Sequence, residues 1–446
     1  MNRKIFLTLA SFCVILSVYA TILSQPAGND NLPENATQVS FIDQIAHLKG
    51  VSDLTVLRTD NFVEKCVFFI EQPLNHKDNT KGFFKQRVFV SHKGFDRPTV
   101  FVTEGYGADY VSNAMYTNEL ADLFSTNLIV VEHRYFLEST PMPRDWEHLT
   151  AENSANDLHH IFTSLKTVYP QKWISTGLSK GGQTTMIYQT FFPNDMDIAV
   201  PYVGPLNRGV EDGRHEIFLR ESVGTSQDRA VIQAFQLEIL KRRSKLMPLF
   251  AAHCNERKFE FRASLDEIFD FTVLEYPFTL WQYGTSIDNI PSLTVSDEEL
   301  FRHFIAVSSP QYFQEYSMFE SFFVQAEREL GYYGYDIEPF VEHLSIKNAQ
   351  GYLKKIVVPK DADVTFDKTL YDTICTYLER EDPRMIFIYG EYDPWSATAV
   401  DVSVNMNNKQ QIIVAYVPKG NHTVNIRSLP DSLQKRVIET ITKWLE

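Results

Sequence analysis

The sequence predicts an α/β protein whose mostly parallel sheet is interrupted, between its late strands, by a large helical insertion. Short, continuous apolar runs alternate with helical spacing up to about residue 205. Helical spacing then dominates to about residue 383, after which two further apolar runs follow. Strands buried on both faces of a parallel sheet have this continuous apolar character, and alternation of strand and helix is typical of an α/β sheet.

Length and composition indicate a large globular protein. The chain has 446 residues, of which 44% are hydrophobic and 22% are charged. Its 42 basic and 57 acidic side chains give a formal net charge of −15, which argues against a nucleic-acid partner because phosphate binding requires clustered Lys and Arg. The aromatic fraction of 13% favours large apolar pockets.

The first residues have the pattern of a targeting segment. A cationic start at residues 2–4 precedes an apolar run over about residues 5–18, and the small or aliphatic residues that follow predict cleavage after Ala20. An uncleaved membrane anchor within residues 1–24 is the alternative, because the apolar stretch is long enough to allow one. Residues 25–45 are polar and turn-rich, and we expect them to form a mobile leader in an exported protein.

Few cysteines remain after the predicted cleavage. Cys66, Cys254 and Cys375 allow one disulfide at most, and their pairing stays open. The sequence has no CxxC pair and no His/Cys cluster with metal-ligand spacing.

The first part of the chain contains most of the predicted strands. Residues 66–70 and 87–90 are strand-like and separated by a turn-rich segment, which predicts an antiparallel pair. Residues 99–102 and 127–131 are continuous apolar runs, as expected for buried parallel strands. A helix over residues 154–168 then precedes two more short strands, at 173–175 and 198–200, with a helix between them.

We predict a helical cap over residues 206–383. Long helical stretches are expected at 228–247 and 310–330. Four aromatic residues recur at three- and four-residue spacing in the second stretch: Tyr312, Tyr316, Phe319 and Phe323. We interpret them as core of the cap, with a pocket wall as the alternative.

Two strands and a helix follow the cap. Apolar runs at 385–388 and 412–416 predict the strands, and an amphipathic pattern over 431–445 predicts the helix. The segments 46–205 and 384–446 are therefore expected to share one sheet, with the cap inserted between them.

The strongest chemical signal lies at residues 177–181, which read Gly-Leu-Ser-Lys-Gly. A predicted strand leads into this segment and a predicted helix follows it, which is the pattern of a nucleophile held on a tight strand-to-helix turn. Glycines two residues on either side let neighbouring backbone approach without a Cβ clash. Ser179 is therefore the predicted nucleophile, and a purely structural turn is the alternative.

A serine needs a base and an acid that orients the base, and in this sheet architecture they follow in the order acid, then His. Asp393 lies in the loop after one late strand, and His422 lies in the loop after the next. His422 is also the only histidine after Asp393. We predict a Ser-His-Asp triad with these residues, and Glu391 is the alternative acid.

An oxyanion formed at Ser179 would need two backbone N–H donors. The residue after the nucleophile, Lys180, is expected to supply one. The other is expected from the Gly-Tyr-Gly loop after the strand that ends near residue 102, where we favour Tyr106, with Gly105 as the next choice. A simple strand-terminating turn is the alternative for that loop.

The same segments carry a family resemblance. Residues 177–185 and 191–195 resemble the nucleophile region of secreted bacterial tripeptidyl aminopeptidases, a serine peptidase family that includes prolyl tri/tetrapeptidyl aminopeptidases. The resemblance continues through Thr-Glu-Gly-Tyr at 103–106, Glu-His-Arg-Tyr-Phe at 132–136, Tyr-Val-Gly-Pro-Leu at 202–206 and Trp-Gln-Tyr-Gly at 281–284. More distantly, the chain is similar to prolyl carboxypeptidase and dipeptidyl peptidase II. Leu178 departs from the family pattern, where small residues are common.

The resemblance implies an α/β-hydrolase fold with a helical cap and no metal or cofactor. It implies release of tripeptides from peptide substrates with free N-termini, in the periplasm or exterior of a bacterium, with tetrapeptides and a Pro preference as further options. A carboxylic-ester hydrolase with the same triad is the alternative activity, and a noncatalytic binding protein on this scaffold is a third interpretation. The resemblance leaves the oligomeric state open, and membrane contact is expected only if the N-terminal segment is retained.

An aminopeptidase must also bind the substrate ammonium group. Carboxylates near the cleft are candidates: Glu104, Glu132, Glu275 and Glu320. For Glu132 we favour a buried ion pair with Arg134 or His133 instead. Some of Tyr332, Tyr333 and Tyr335 are candidates to line an apolar pocket for proline or another small side chain. The sequence leaves the ammonium anchor unassigned.

Overall fold

One mixed sheet organises the chain. The computed structural model describes residues 40–401 and 409–446, and nine strands occur within them. The strands are β1 Val51–Leu57, β2 Glu64–Pro73, β3 Phe83–His92, β4 Thr99–Thr103, β5 Asn127–Val131, β6 Trp173–Leu178, β7 Ile198–Tyr202, β8 Met385–Gly390 and β9 Ile412–Val417. Their order in the sheet is β1-β2-β3-β5-β4-β6-β7-β8-β9.

The sheet has an antiparallel part and a parallel part. β1, β2 and β3 pair antiparallel, and β3 is also antiparallel to β5. The six strands from β5 to β9 in that order are all parallel to their neighbours. The predicted antiparallel pair is confirmed as β2 and β3, in which Cys66 lies opposite Val90. The parallel strands predicted from continuous apolar runs are confirmed as well.

Helices cover both faces of the sheet, and helices also fill the long segment between β7 and β8. The α-helices of the described residues are α1 Phe41–Ala46, α2 Glu119–Phe124, α3 Ala151–Leu165, α4 Lys180–Phe191, α5 Arg214–Ile217, α6 Ser226–Lys241, α7 Arg243–Arg257, α8 Leu265–Tyr283, α9 Asp297–Val307, α10 Glu320–Gln325, α11 Tyr352–Ile356, α12 Thr369–Arg380 and α13 Asp431–Leu445.

Alternate residues along each central strand enter two different cores. Phe101 of β4 packs in one core with α3, α4 and α12, whereas Val100 and Val102 pack in the other core with α2 and α13. Because successive strand side chains point to opposite faces, this alternation places the two helical layers on opposite sides of the sheet. The arrangement is the α/β-hydrolase fold expected from the sequence.

The segment between β7 and β8 has a core of its own, which is rich in aromatic residues. Within its described residues we find helices and turns but no strand. The boundaries 206 and 383 for a separate cap domain remain a prediction. The name "cap" is used below for residues 206–383.

Two helical predictions in the cap are corrected by the structure. The stretch 228–247 is two helices, α6 and α7, which meet at Arg242. The stretch 310–330 is not one helix, because a 3₁₀ turn at Pro310–Phe313 is followed by Tyr316 in a left-handed conformation with φ 61°. An L-residue with positive φ cannot continue a right-handed helix, so the chain turns before α10 begins.

The longest helix, α8, is buried along most of its length. It begins with a capping box between Ser264 and Glu267 and ends at Gly284 in the left-handed conformation. Pro277 interrupts its hydrogen bonding, since a proline cannot donate to the carbonyl four residues earlier. The Gln236 side chain instead donates to that carbonyl, of Val273, at 2.8 Å, so the interruption is compensated.

The predicted signal segment, residues 1–24, lies outside the described residues, as does most of the predicted leader over 25–45. Residues 41–46 form α1, in which Phe41 and Ile45 are buried, so ordered structure begins before the predicted boundary at residue 46. In the part of the chain that the structure describes, no helix is both long and apolar enough to cross a membrane.

The cysteines Cys66, Cys254 and Cys375 are free thiols. Burial raises the pKa of Cys66 to about 12 and the pKa of Cys254 to about 11, so both stay protonated and behave as core residues.

Candidate active site

Ser179 occupies a strained turn between β6 and α4. Its backbone has φ 59° and ψ −122°, a conformation that side-chain-bearing residues rarely adopt. The turn is held from both sides, because the Ser179 N–H donates to the Tyr202 carbonyl at 3.0 Å and the Ser179 carbonyl accepts from the Gln183 N–H at 2.9 Å. This geometry presents the Ser179 side chain at the carboxyl edge of the parallel strands, as a nucleophile elbow does.

Two glycines make this turn possible. A Cβ atom on Gly177 would lie 2.3 Å from the backbone carbonyl group of Gly181, and one on Gly182 would lie 2.5 Å from the Tyr202 carbonyl oxygen. Backbone atoms at those distances cannot be moved aside as a flexible side chain can. The close packing of α4 against β6 and β7 therefore requires glycine at both positions.

Asp393 and His422 form a buried pair beyond the ends of β8 and β9. The His422 Nδ1 atom lies 2.7 Å from Asp393 Oδ2, and Asp393 Oδ1 accepts a hydrogen bond from the Trp395 N–H at 3.2 Å. Glu391, the alternative acid, instead accepts from the Lys419 N–H at 2.8 Å. Asp393 is therefore the carboxylate that is positioned to orient the imidazole.

The other imidazole nitrogen has no hydrogen-bond partner among the described residues. His422 Nε2 is buried and makes no hydrogen bond within the described residues, including none to Ser179. The rings of His422 and Trp395 lie with centroids 6.4 Å apart, and Trp395 lines the same pocket as Ser179. In the neutral imidazole, an unpaired Nε2 can accept a proton from a group in this pocket.

The two loops expected to donate to an oxyanion are in contact. Lys180 is the first residue of α4, so its N–H has no acceptor within the helix. The Glu104 carboxylate accepts a hydrogen bond from the Gly105 N–H at 3.2 Å and also from the Tyr106 N–H, so both candidates for the second donor face the same carboxylate. A Cβ on Gly105 would lie 2.6 Å from the Lys180 Cβ atom, so the loops approach as closely as glycine allows.

A pocket of about 390 Å³ opens at Ser179 and reaches into the cap. Most of its wall is aromatic. Its lining residues are Tyr106, Ser179, Glu275, Gln282, Tyr312, Phe319, Phe322, Phe323, Tyr332, Tyr333 and Trp395.

Three residues of the predicted aromatic stripe pack in the core of the cap, as interpreted, and they also form part of the pocket wall, which was the alternative. Tyr312, Phe319 and Phe323 line the pocket together with Ser179, whereas Tyr316 is 74% exposed. The broken helix explains the difference, because the turn at Tyr316 directs its side chain away from the other three. Phe322, one position outside the predicted stripe, was missed for the same reason.

Comparison with known proteins identifies the family. The family model described as PS-10 peptidase S37 matches residues 37–446. The chain belongs to this peptidase family. It is therefore a serine peptidase on an α/β-hydrolase scaffold, in agreement with the resemblance found in the sequence.

The chain is also similar to individual proteins. The chain is 30% identical over 420 residues to a prolyl tri/tetrapeptidyl aminopeptidase of Streptomyces mobaraensis, covering 92% of this chain and 86% of that protein. It is 27% identical over 214 residues to a human lysosomal Pro-X carboxypeptidase, covering 43% of this chain and 39% of that protein. Among solved structures, proline iminopeptidase of Mycobacterium smegmatis matches with a TM-score of 0.42 and 13% identity, covering 84% of this chain and 98% of that one.

Three of the four candidate carboxylates of this peptidase are engaged away from the pocket. Glu132 is in a buried ion pair, as favoured, but its partner is Arg87 of β3 rather than Arg134 or His133. The antiparallel register explains this, because Arg87 lies next to the residue opposite Val131, at the end of β5. The Arg134 side chain instead pairs with a carboxylate of α3.

Glu104 and Glu320 are also occupied by other groups. Glu104 accepts hydrogen bonds from the Tyr110 hydroxyl and the Gly105 N–H, and burial raises its pKa. Glu320 forms an ion pair with Arg144 at 3.0 Å. Neither side chain lines the pocket at Ser179.

Glu275 is the candidate that does line the pocket. Hydroxyl groups surround its carboxylate, with the Tyr335 hydroxyl at 2.7 Å, the Tyr333 hydroxyl at 2.9 Å and the Thr279 hydroxyl at 3.0 Å. Burial raises the pKa of Glu275 to about 7, and the three hydroxyl bonds limit the rise because they stabilise the charged form.

One group of potential metal ligands occurs among the described residues. Asp145, Glu147 and His148 bring one ligand atom each within 4.8 Å of one another. Asp145 is already engaged, since its carboxylate accepts from the Glu147 N–H at 2.8 Å. Exposed acidic groups of this kind are common in proteins without an ion, and we assign no metal to them.

Proposed function

We propose that this serine peptidase is an exported aminopeptidase that releases short peptides from free N-termini. In this proposal Ser179 is the nucleophile, His422 the general base and then acid, and Asp393 the orienting carboxylate. The single observation that supports it most is that Trp395, whose ring is 6.4 Å from that of His422 in the buried Asp393–His422 pair, lines the same pocket as Ser179 on its strained turn.

The proposed reaction begins with Ser179 attacking the scissile carbonyl while His422 Nε2 takes its proton. Asp393 Oδ2, 2.7 Å from Nδ1, holds the imidazole in the tautomer with Nε2 unprotonated and stabilises the imidazolium that forms. The tetrahedral oxyanion is bound by the Lys180 N–H and by the Tyr106 N–H. The imidazolium then protonates the leaving amine, and water hydrolyses the acyl-enzyme by the same steps in reverse.

The pocket favours release of a short peptide over cleavage within a folded chain. Residues of the cap form much of the pocket wall beside Ser179, which would limit how much of a peptide can extend past the cleaved bond. Aromatic side chains such as Phe322, Tyr332 and Trp395 offer flat apolar surface for a proline ring beside the cleaved bond. The similarity to a prolyl tri/tetrapeptidyl aminopeptidase supports the same size and side-chain preference.

Export is supported by the sequence alone. The cationic start, the apolar run and the predicted cleavage after Ala20 are the features of a secretory signal. N-terminal sequencing of the protein recovered from the periplasm or medium of the producing bacterium tests this part. A mature terminus at residue 21 is expected, and a chain retained in the membrane with residue 1 intact would contradict it.

The chemical step is tested by replacing Ser179 with Ala. We expect the variant to lose more than about 10³-fold in kcat on a tripeptide p-nitroanilide and to lose labelling by a fluorophosphonate. Ser175→Ala is the matched control, because the Ser175 hydroxyl on β6 has no hydrogen-bond partner among the described residues and its loss should leave turnover within about twofold. Undiminished turnover in Ser179→Ala would remove the proposed mechanism.

Substrate class is tested on the unmodified protein. Mass spectrometry of the products from peptides with free N-termini should show short N-terminal fragments, and N-acetylated peptides should be cleaved poorly. Equal cleavage of free peptides, blocked peptides and simple carboxylic esters would favour the ester-hydrolase alternative instead.

A further inference from the structure

We propose that Glu275 binds the α-ammonium group of the substrate and so makes the pocket specific for a free N-terminus. This assignment rests on the aminopeptidase function proposed above and deepens it. Four observations support it. They are the position of Glu275 in the pocket, the absence of a cationic partner among the described residues, the hydroxyl groups around the carboxylate, and the spacing along α8 between Glu275 and Gln282, which contacts His422.

The first observation is that Glu275 and Ser179 line the same pocket. Glu275 is the one acidic side chain among the described lining residues, and the other lining residues are uncharged. A positively charged group that enters this pocket therefore meets one carboxylate, inside a wall that excludes water and strengthens the attraction.

The second observation is that the Glu275 carboxylate is 4% exposed and has no ion-pair partner among the described residues. Its hydrogen bonds come from neutral hydroxyl groups. Buried carboxylates are normally paired with a cation, because an isolated buried charge is costly. A substrate ammonium would supply the missing charge, whereas Glu132 and Glu320 already pair with Arg87 and Arg144.

The third observation concerns the hydroxyl groups. The Tyr333 hydroxyl lies 2.9 and 3.0 Å from the two carboxylate oxygens, but it has one proton and can donate to one oxygen at a time. One acceptor position on Glu275 therefore stays available for an ammonium N–H. The Tyr333 hydroxyl oxygen can accept a second N–H, so the carboxylate and this hydroxyl together match an ammonium donor.

The fourth observation is the spacing along α8. Glu275, Thr279 and Gln282 recur at helical spacing and so share one face of the helix. The Gln282 carbonyl accepts a hydrogen bond from the His422 N–H at 3.0 Å, which ties this face to the proposed base. Seven residues of helix span about 10 Å, which is close to the length of three residues of extended peptide. An ammonium at Glu275 would thus leave about the third carbonyl near the end of α8 that contacts His422.

The proposal is tested by a cycle in which both enzyme and substrate are changed. The enzymes are the unmodified protein and Glu275→Gln, and the substrates are a tripeptide p-nitroanilide and its des-amino analogue, which has hydrogen in place of the ammonium group. The unmodified protein should prefer the free amine by about 10- to 100-fold in kcat/KM, as expected for a hydrogen bond to a charged group. Glu275→Gln should bring this preference close to one, mainly through a higher KM for the amine.

Glu329→Gln is the matched control. Glu329 also lies in the cap, and burial raises its pKa to about 7 as well, but its carboxylate accepts from the Ala151 N–H and does not line the pocket. This variant should keep the full preference for the free amine. A Glu275→Gln enzyme that also keeps it would overturn the proposal and would leave Glu275 a structural residue of the cap.

Two further measurements separate the possible failures. If fluorophosphonate labelling of Glu275→Gln matches that of the unmodified protein, its Ser179 chemistry is intact and any changed preference belongs to the pocket. If Glu275→Gln does not fold, Tyr335→Phe removes the 2.7 Å hydroxyl bond while keeping the carboxylate, and should reduce the preference for the amine several-fold. An unchanged preference in Tyr335→Phe would then count against the proposal.

Discussion

The Lys180 ammonium group donates a hydrogen bond to the Gly105 carbonyl oxygen at 2.7 Å. The bond joins the residue after the proposed nucleophile to the loop that carries the other proposed oxyanion donor. Lys180 is 2% exposed, and burial holds its pKa well below the usual value for lysine. Burying a lysine side chain lowers the stability of a fold. We therefore expect Lys180 to have a specific role, which is to hold the Gly105 loop in position.

Replacing Lys180 with Met tests that role. Methionine has a similar length but no donor, so the Gly105 loop loses its tether while the buried volume stays filled. We expect kcat on a tripeptide p-nitroanilide to fall by about 10- to 100-fold, with KM within about threefold. A displaced oxyanion donor weakens stabilisation of the transition state more than it weakens substrate binding. The free energy of unfolding should not fall, because a buried charge has been removed.

Lys172→Met is the control for this prediction. Lys172 immediately precedes β6, at the opposite end of that strand from Ser179, and is half-exposed. Its replacement should leave kcat within about twofold. An unchanged kcat in Lys180→Met would mean that the loop is held by other contacts.

Asp393→Asn should nearly abolish turnover. The amide can still accept from the Trp395 N–H, but its NH₂ group would face His422 Nδ1 and favour the wrong imidazole tautomer. We expect kcat to fall by about 10³- to 10⁴-fold, as in serine hydrolases where this change has been made. Glu391→Gln should leave kcat within about threefold, and the reverse ranking of the two variants in steady-state assays would make Glu391 the functional acid.

Gly177→Ala should destabilise the protein. The added methyl group would lie 2.3 Å from backbone atoms of Gly181, and neither β6 nor α4 can shift without losing packing on both faces of the sheet. We expect the free energy of unfolding, measured in urea, to fall by about 3 kcal/mol, the upper range for overpacking. At Gly209 no atom lies within 4 Å of an added Cβ, so Gly209→Ala should change stability by less than about 0.5 kcal/mol.

Glu275→Gln should stabilise the protein at alkaline pH. The pKa of Glu275 is about 7 in the folded chain against a usual value of 4.5, so the folded state binds this proton more tightly than the unfolded state does. Raising the pH from 4.5 to 7 therefore lowers the free energy of unfolding of the unmodified protein, by about 3 kcal/mol for a pKa difference of this size. Glutamine does not titrate, so the variant does not lose this stability.

Urea unfolding of the two proteins at pH 4 and pH 8 measures this difference. The variant should match the unmodified protein at pH 4 and exceed it at pH 8. Glu342→Gln, at an exposed position of the cap, should show no such pH trend. Equal stability of Glu275→Gln and the unmodified protein at both pH values would mean that the Glu275 carboxylate is not destabilised by burial.

Local sequence signals account for the sheet and for the choice of candidate residues in its loops. The strand at residues 127–131 was predicted because an uninterrupted apolar run needs no distant partner to be recognised, and β5 has those bounds. The assignment of Ser179, Asp393 and His422 used motif and chain order, which are also local. Their catalytic roles remain predictions, although Asp393 and His422 lie in contact.

Tertiary structure alone decided which groups meet across distant segments. Arg87 rather than Arg134 pairs with Glu132, because the antiparallel register of β3 and β5 brings them together. The prediction of one helix over residues 310–330 was also wrong, because the left-handed turn at Tyr316 ends the helical periodicity. Neighbouring aromatic side chains line the pocket with Ser179.

The sequence by itself determined the α/β-hydrolase fold, the peptidase family and a short list of four glutamates that included Glu275. Only the tertiary structure showed which of the four lines the pocket with Ser179, because the surroundings of a carboxylate depend on which charges and hydroxyl groups pack against it. Those groups come from other helices and loops, whose packing is set by the whole hydrophobic core and not by any one stretch of the chain.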